Sequence, residues 1–223
     1  MITDVRRQMP LMDIRNHELR SAGMRFVLAS GSAGRLKVLR DAGIDPEVVV
    51  SGVDESDEDG LPPADMVLRL AERKAAAVAR LCPDALVLGC DSLLELDGTA
   101  FGKPQSGDEA AVMWHRLAGR EATLLTGHSL IETSSGRRVT ELATTLVRFG
   151  RPDPAELAAY IATGEPMDLA GAFSIEGRGA PFIDGIVGDP TNVIGLSLPL
   201  LRRMLADLGL AITDLWRSGP TFS

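Results

Sequence analysis

The sequence predicts an α/β protein with a mixed β-sheet, and three observations lead to this fold class. Apolar runs typical of strands alternate with segments whose apolar residues recur at helical spacing. Turn signals at Asp97–Gly98 and Ser134–Gly136 join neighbouring strands as hairpins, so the pattern is not a strict β-α-β repeat. The 223 residues, 45% of them hydrophobic, suffice for one large domain or two small lobes with a real core.

Charge and composition exclude several classes of protein. The net charge of −8 disfavours an extended nucleic-acid groove, which needs clustered lysines and arginines. Cys82 and Cys90 form no CxxC motif, and the three histidines are scattered, so a zinc site and a disulfide scaffold are disfavoured. No apolar run approaches the roughly 20 residues of a membrane span. We expect a cytoplasmic protein that binds neither a membrane nor a nucleic-acid polymer.

The predicted domain covers residues 25–217, followed by a short tail at 218–223. Residues 1–24 mix charges throughout and lack the apolar core of a secretory signal. They are either a mobile extension or an over-long start, and we assign them no role.

The loop after the first strand is a candidate anion site. The apolar run Phe26–Ala29 ends in the small residues 30–34, among them Ser30 and Ser32, and a basic helix with Arg35 follows. Small residues leave N–H groups and hydroxyls uncovered at a helix start, where an anion is favoured. The same order of elements is also ordinary in any α/β domain. No Gly-Lys-Ser/Thr closes the loop, which argues against a Walker ATPase.

Two further segments carry charged residues in apolar surroundings. Residues 46–55 predict a strand that ends in an acidic pair with Glu55. Residues 64–81 predict a helix, and Lys74 lies on its apolar stripe. A lysine there either extends its ammonium outward to solvent, the commoner case, or directs it into a cleft.

The chain next predicts two apolar half-strands within residues 85–98, interrupted by Asp91. A carboxylate between apolar flanks is costly unless it is paired or binds a cation, so we favour a functional role for Asp91. Lys103 follows in a loop between Gly102 and Pro104, which is either a plain surface turn or a place for close backbone approach.

The second half of the chain predicts helices and antiparallel strands in alternation. Ser106 and Glu109 are spaced as a capping box before a helix that ends at Gly119. Strands at 122–133 and 138–150, a helix at 154–164, glycine-punctuated β structure at 171–190 and a last helix at 197–209 follow. Asn192 shapes a turn or supports the cleft, and His128 is a surface or packing residue.

Two acids and three cations stand out together: Glu55 and Asp91 with Arg35, Lys74 and Lys103. Hydrolysis of a phosphoanhydride needs this combination. The carboxylates suit Mg²⁺ or Mn²⁺, and one of them can orient or deprotonate water. The cations neutralise the charge on phosphate oxygens and on a pyrophosphate leaving group.

In order, these segments resemble the Maf family of nucleoside triphosphate pyrophosphatases, also called septum formation inhibitor proteins. The resemblance runs from about Arg25 to the last helix, and its motifs are LASGSAGRLKVL, VDE, LAERKAAAVA, GCDS, GKP, TGHSL and AGAFSIEGRGAPFIDGIVGDPTNVIGLSLPLL. It implies a two-lobed α/β fold with a long curved mixed sheet, flanking helices and a central cleft. It also implies a metal-dependent hydrolase that cuts a nucleoside triphosphate between the α and β phosphates, and a homodimer.

The resemblance also implies roles for single residues. Asp91 matches the proton acceptor, and Glu55 and Asp91 match the acids at the metal. Further matches at the phosphate site are Ser30, Arg35, Lys74 and Lys103, beside the loop hydroxyl of Ser32.

Three positions depart from the common pattern and are associated with the choice of base. Gly34 stands where many members have an arginine, Ser92 where the thymidine and uridine subgroup has threonine, and Glu176 where that subgroup has glutamine. A carboxylate accepts hydrogen bonds and donates none, so Glu176 suits a purine N–H edge or a cationic methylated guanine. The enzyme would then clear non-standard or modified nucleotides.

Two other functions are compatible with these residues. A regulatory nucleotide-binding protein of cell division needs the cations and the pocket, but no carboxylate that activates water. A phosphotransferase is disfavoured because neither a P-loop nor a kinase motif set is present.

Overall fold

The computed structural model describes residues 25–54 and 60–216, and it has the predicted α/β architecture. The described residues form a seven-stranded mixed sheet whose strands are β1 Arg25–Leu28, β2 Glu47–Val48, β3 Ala85–Leu96, β4 Thr99–Phe101, β5 Glu121–Glu132, β6 Arg138–Phe149 and β7 Ile183–Val187. The helices are α1 Ala33–Asp41, α2 Pro63–Ala79, α3 Gly107–Leu117, α4 Pro154–Ala162, α5 Pro190–Val193 and α6 Leu198–Asp207. The predicted extension, the tail and Glu55 lie outside the described residues.

The sheet order is β2-β1-β3-β5-β6-β7, with β4 paired to β3. β1 runs parallel to β2 and β3, whereas β5, β6 and β7 follow as antiparallel neighbours. Because β5 pairs with β3 over Leu86–Glu95, β1 and β4 share the opposite edge of β3. β1 covers that edge up to Leu88 and β4 begins at Leu94. Residues 89–93 therefore have no strand partner on this edge within the described chain, and we call this stretch the edge gap.

Two apolar clusters pack at opposite ends of the long strands. One joins α1 and α6 to Leu86, Leu88 and Leu130, and the other joins Trp114 of α3 to Leu94 and further side chains of β5 and β6. Polar residues occupy the middle of β3 and β5 between the two clusters. The edge gap lies at this polar boundary between the two clusters.

Local signals explain the helix starts. Ser106 accepts a hydrogen bond from the backbone N–H of Glu109, and Asp153 forms a full capping box with Glu156. Ser197 caps α6 as the sequence indicates. The hairpin between β3 and β4 turns at Asp97 and Gly98, which both have a positive φ.

Three predicted elements differ from the structure. Of the predicted strand 46–55, the structure describes residues 46–54, and within these only β2 pairs as a strand because β1 ends at Leu28. β3 continues through Asp91 without interruption, because a lysine satisfies the carboxylate. Within residues 171–190, β7 is the strand, and the residues before it form bends, turns and two short 3₁₀ segments with a positive φ at Gly171 and Gly177.

Candidate active site at the edge gap

Helix α2 lies against the centre of the sheet because two strand glycines leave room for it. A Cβ atom built at Gly89 would lie 2.4 Å from the carbonyl oxygen of Ala71, and one at Gly127 would lie 2.2 Å from that of Val67. Gly127 is the cross-strand partner of Asp91. The backbone of α2 thus touches the backbones of β3 and β5 beside that carboxylate.

This close approach brings Lys74 to Asp91. The Nζ atom of Lys74 lies 2.6 Å from Oδ1 of Asp91, and both side chains are about nine-tenths buried. The lysine on the apolar stripe therefore points into the protein and not out to solvent. The ammonium offsets the cost of burying the carboxylate, and removing either group would leave the other charge unpaired. The Oδ2 atom accepts no hydrogen bond from any described residue and is available for another ligand.

Arg35 is fixed on the other side of the edge gap by three hydrogen bonds. Its Nε donates to the carbonyl oxygen of Gly195 at 2.8 Å, Nη1 to Ser30 Oγ at 2.9 Å and Nη2 to Ser92 Oγ at 3.0 Å. The side chain is buried. A guanidinium carries five N–H groups, so two are not used by the described residues and can meet an anion in the gap, and the cation is preorganised.

A polar cluster behind Arg35 continues the network. Ser92 Oγ lies 3.0 Å from Oγ1 of Thr126, its cross-strand partner, and Thr126 Oγ1 lies 3.5 Å from the backbone oxygen of Asn192. The side-chain Nδ2 of Asn192 donates to Thr145 Oγ1 at 3.1 Å. Asn192 thus supports the cleft as well as turning the chain.

His128 is a buried part of the same layer. Its Nε2 accepts from the backbone N–H of Ser197 at 2.9 Å, so Nδ1 carries the proton and donates to the carbonyl oxygen of Thr126 at 3.1 Å. Burial lowers the pKa of His128 to about 4, assisted by the charge of Arg35. The ring is therefore neutral near pH 7, and it links β5 to the start of α6 as a structural group.

The remaining predicted site residues lie in different surroundings. Ser32 caps α1 by accepting from the backbone N–H of Arg35 at 3.4 Å. The side chain of Lys103 is exposed in the loop after β4. Glu176 pairs through Oε1 with Lys37 of α1 at 3.0 Å, and that lysine also contacts Asp41.

The thiol beside Asp91 takes no part in acid–base chemistry. Cys90 is fully buried, and burial raises its pKa to about 12. A thiol with that pKa stays protonated near pH 7, so it is a packing group and not a nucleophile.

The part of the chain described by the structure contains no group of three or more histidine, cysteine, aspartate or glutamate side chains that would hold a metal alone. Magnesium is commonly bound by one or two carboxylates together with substrate phosphates. The available Oδ2 of Asp91 fits that donor set as one ligand.

A surface cavity of about 440 Å³ lies elsewhere, and it is lined by Gly119, Arg120, Glu121, Arg148, Phe149, Arg151 and Asp184. It contains none of the predicted site residues. Arg148 is already paired with Glu121 at 2.7 Å. We therefore place the candidate site at the edge gap, where buried charges of both signs meet. Within the described chain, no helix is long and apolar enough to cross a membrane.

Comparison with known proteins identifies the family of the chain. The model of the family of Maf-like proteins matches residues 25–208. The chain belongs to the Maf-like protein family. A nucleoside triphosphate pyrophosphatase of Streptomyces coelicolor is 58% identical over 195 residues, covering 86% of this chain and 94% of the relative. The protein of the same name from Streptomyces avermitilis is 54% identical over 194 residues, with the same coverage. That of Salinispora tropica is 50% identical over 206 residues, covering 90% and 91%.

In this Maf-like protein, the structure explains the glycine at position 34. A Cβ atom there would lie 3.1 Å from the carbonyl oxygen of Ile194 and 3.2 Å from its Cγ2. A side chain at position 34 would therefore require Ile194 to shift by a few tenths of an ångström.

Sequence reasoning missed Thr126, Gly127 and Gly195 in this Maf-like site. Thr126 and Gly127 belong to the motif TGHSL, and a threonine within an apolar strand was the available signal. Gly195 contributes a backbone oxygen, for which a sequence pattern gives no signal.

Proposed function

We propose that this chain hydrolyses nucleoside triphosphates between the α and β phosphates, releasing a nucleoside monophosphate and pyrophosphate. Relatives that match most of the chain carry the name nucleoside triphosphate pyrophosphatase. The observation that carries the proposal is that a buried carboxylate paired with a lysine and a fixed buried guanidinium lie at one sheet edge. Those two groups serve the water and the phosphates, respectively.

Asp91 acts on the attacking water. Lys74 occupies Oδ1, which leaves Oδ2 to accept a hydrogen bond from water and to take its proton. A divalent cation, Mg²⁺ or Mn²⁺, held by Asp91 and Glu55, would screen the phosphate charge when bound. Glu55 lies outside the described residues.

The phosphates bind where the cations converge. Arg35 presents its two remaining N–H groups without first having to be ordered, which favours charge stabilisation in the transition state. Asp91 and Ser92 point to opposite faces of β3, as neighbouring strand residues do. A nucleotide seated in the edge gap reaches both faces, because no strand of the described residues covers this edge. Lys103, exposed in the loop after β4, supplies a cation to the leaving pyrophosphate.

Glu176 selects the base. Its Oε1 is held by Lys37, which leaves Oε2 to accept from an N–H edge or to face a cationic ring. A purine or a 7-methylguanine nucleotide is therefore preferred over a thymine nucleotide. Turnover of dTTP well above that of 7-methyl-GTP would contradict this choice of base while leaving the reaction class intact.

The decisive experiment measures monophosphate and pyrophosphate separately, on a panel of standard and modified nucleoside triphosphates with Mg²⁺ or Mn²⁺. We expect equal release of both products by the parent and its loss in Asp91→Asn. Asp207→Asn, an exposed carboxylate at the end of α6, is the matched control and retains activity. Binding of nucleotide without any product would instead indicate a regulatory binding protein. Phosphate transfer to an acceptor without pyrophosphate would indicate a phosphotransferase.

We also propose that the protein acts as a homodimer in the cytoplasm, which the family resemblance supports. Light scattering coupled to size-exclusion chromatography measures the oligomeric state, and fractionation of cells measures the location.

A further inference from the structure

Ser92 is the point where three parts of the site meet. Its Oγ accepts a hydrogen bond from Nη2 of Arg35 at 3.0 Å and lies 3.0 Å from Oγ1 of Thr126. A guanidinium only donates, so the Arg35 contact uses one lone pair of Ser92. The direction of the hydrogen bond between the two hydroxyls then decides what Ser92 can offer to a substrate.

Burial decides that direction. Thr126 is fully buried, so its hydroxyl proton must find a protein acceptor. Two oxygens are within reach, Ser92 Oγ at 3.0 Å and the backbone oxygen of Asn192 at 3.5 Å. Hydrogen bonds between a hydroxyl and an oxygen weaken beyond about 3.0 Å. The proton of Thr126 therefore goes to Ser92.

Ser92 then accepts from two donors and keeps its own proton. Its side chain is only partly buried and lies at the edge gap, so the hydroxyl can donate its hydrogen bond to a group in the cleft. Without Thr126, one lone pair of Ser92 would be open and its hydroxyl would be free to rotate.

We propose that Thr126 is a positioning residue, which orients the Ser92 hydroxyl as a donor toward the nucleotide and as an acceptor for Arg35. The inference rests on the proposed function, because it assigns the nucleotide to the edge gap. Thr126 touches no substrate in this scheme. It acts entirely through Ser92, and through Ser92 on the position of the Arg35 guanidinium.

The test compares substitutions that separate the hydroxyl of Thr126 from its methyl group. Thr126→Val keeps the shape and removes the hydroxyl, whereas Thr126→Ser keeps the hydroxyl and removes the methyl. We expect kcat/KM for pyrophosphate release to fall about tenfold in Thr126→Val and to stay within about twofold of the parent in Thr126→Ser. A packing role would give the reverse order, with the valine variant active and the serine variant impaired, and would overturn the proposal.

Controls address folding. Thr123→Val is the matched change on the same strand, at a partly buried threonine whose hydroxyl makes no hydrogen bond among the described residues. It should leave kcat/KM unchanged. If Thr126→Val does not fold, Thr126→Ala takes its place, since alanine and serine both lack the methyl group and differ only in the hydroxyl. Equal activity of the alanine and serine variants would refute the proposal.

A double-mutant cycle with Ser92→Ala tests the route of the effect. If Thr126 acts through Ser92, Thr126→Val causes no further loss once Ser92 is alanine. Losses that multiply in the double variant would show that Thr126 acts by another route, contrary to the proposal.

A binding measurement keeps this inference separate from the proposed reaction. The probe is a nucleoside triphosphate whose α and β phosphates are joined by a methylene group, and its affinity is measured by calorimetry. If the parent binds the probe but releases no pyrophosphate, the proposed reaction is wrong. The role of Thr126 is then tested by affinity for the probe, which should fall in Thr126→Val and stay near that of the parent in Thr126→Ser. If the unsubstituted protein neither hydrolyses nucleotides nor binds the probe, both proposals are wrong.

Discussion

Substituting Gly127 by alanine should separate Lys74 from Asp91 without touching either residue. A Cβ atom at position 127 would lie 2.2 Å from the carbonyl oxygen of Val67, 2.5 Å from its carbonyl carbon and 2.7 Å from the nitrogen of Leu68. All three are backbone atoms of α2, so no side-chain rotation relieves the clash. Normal contact between nonbonded carbon and oxygen begins at about 3.4 Å.

The required shift can be estimated from these distances. The helix must move away from the sheet by about 1.2 Å at this point to restore normal contact. If Lys74 moves with it, the 2.6 Å separation from Asp91 grows to about 3.8 Å, which is beyond hydrogen-bond distance. Overpacking of this kind costs about 1–3 kcal/mol of unfolding free energy. A misplacement of about 1 Å in a catalytic group costs about a hundredfold in rate.

Two assays on the same preparation measure both effects. Urea unfolding gives the free energy of unfolding, and pyrophosphate release gives kcat. Gly185→Ala on β7 is the matched control, because a Cβ atom there would meet only Arg148 Cδ, at 3.8 Å. If Gly127→Ala equals this control in both stability and rate, the close approach of α2 does not position Lys74, and our account of the site is wrong.

Three further predictions concern single side chains. Lys74→Met leaves the buried Asp91 carboxylate without its ammonium partner. The unfolding free energy measured in urea should fall by about 3–5 kcal/mol. A loss below about 1 kcal/mol would contradict a tight buried pair. Because burial lowers the pKa of His128 from 6.5 to about 4, the unfolded chain binds more protons between these values. Unfolding free energy should therefore be highest above pH 6.5 and lower by about 2 kcal/mol at pH 5, and an equal pH slope in His128→Gln would refute this cause. Lys103→Ala removes an exposed side chain, so the unfolding free energy should stay within about 0.5 kcal/mol of the unsubstituted protein. In the same variant, kcat/KM should fall about tenfold. An unchanged kcat/KM would exclude Lys103 from the site.

Much of the fold follows from local sequence signals. The hairpin turn at Asp97–Gly98, the cap at Ser106 and the apolar stripe of α2 depend on neighbouring residues, and the structure has each of them. Strand limits depend on partners elsewhere in the chain. For this reason the sequence alone mispredicted residues 46–55, where the neighbouring β1 strand stops at Leu28.

The candidate site divides in the same way. Lys74, Asp91 and Arg35 are recognisable in the sequence because charged groups in apolar or small-residue surroundings are costly without a partner. Their partners are not recognisable, since the Gly195 carbonyl oxygen lies 160 residues from Arg35 in the sequence and Ser92 lies 57 residues from it.

The chemical groups of this protein, and most of the elements that carry them, can be read from local sequence patterns. Which of those groups meet, that Lys74 points inward, and that residues 89–93 lack a partner strand on one edge of β3 among the described residues depend on the packing of the folded chain. The physical reason is that charge, periodicity and capping are local properties of the chain. The edge gap and the burial of the Lys74–Asp91 pair arise only when two backbones separated in sequence come into contact, as α2 and β5 do at Gly127.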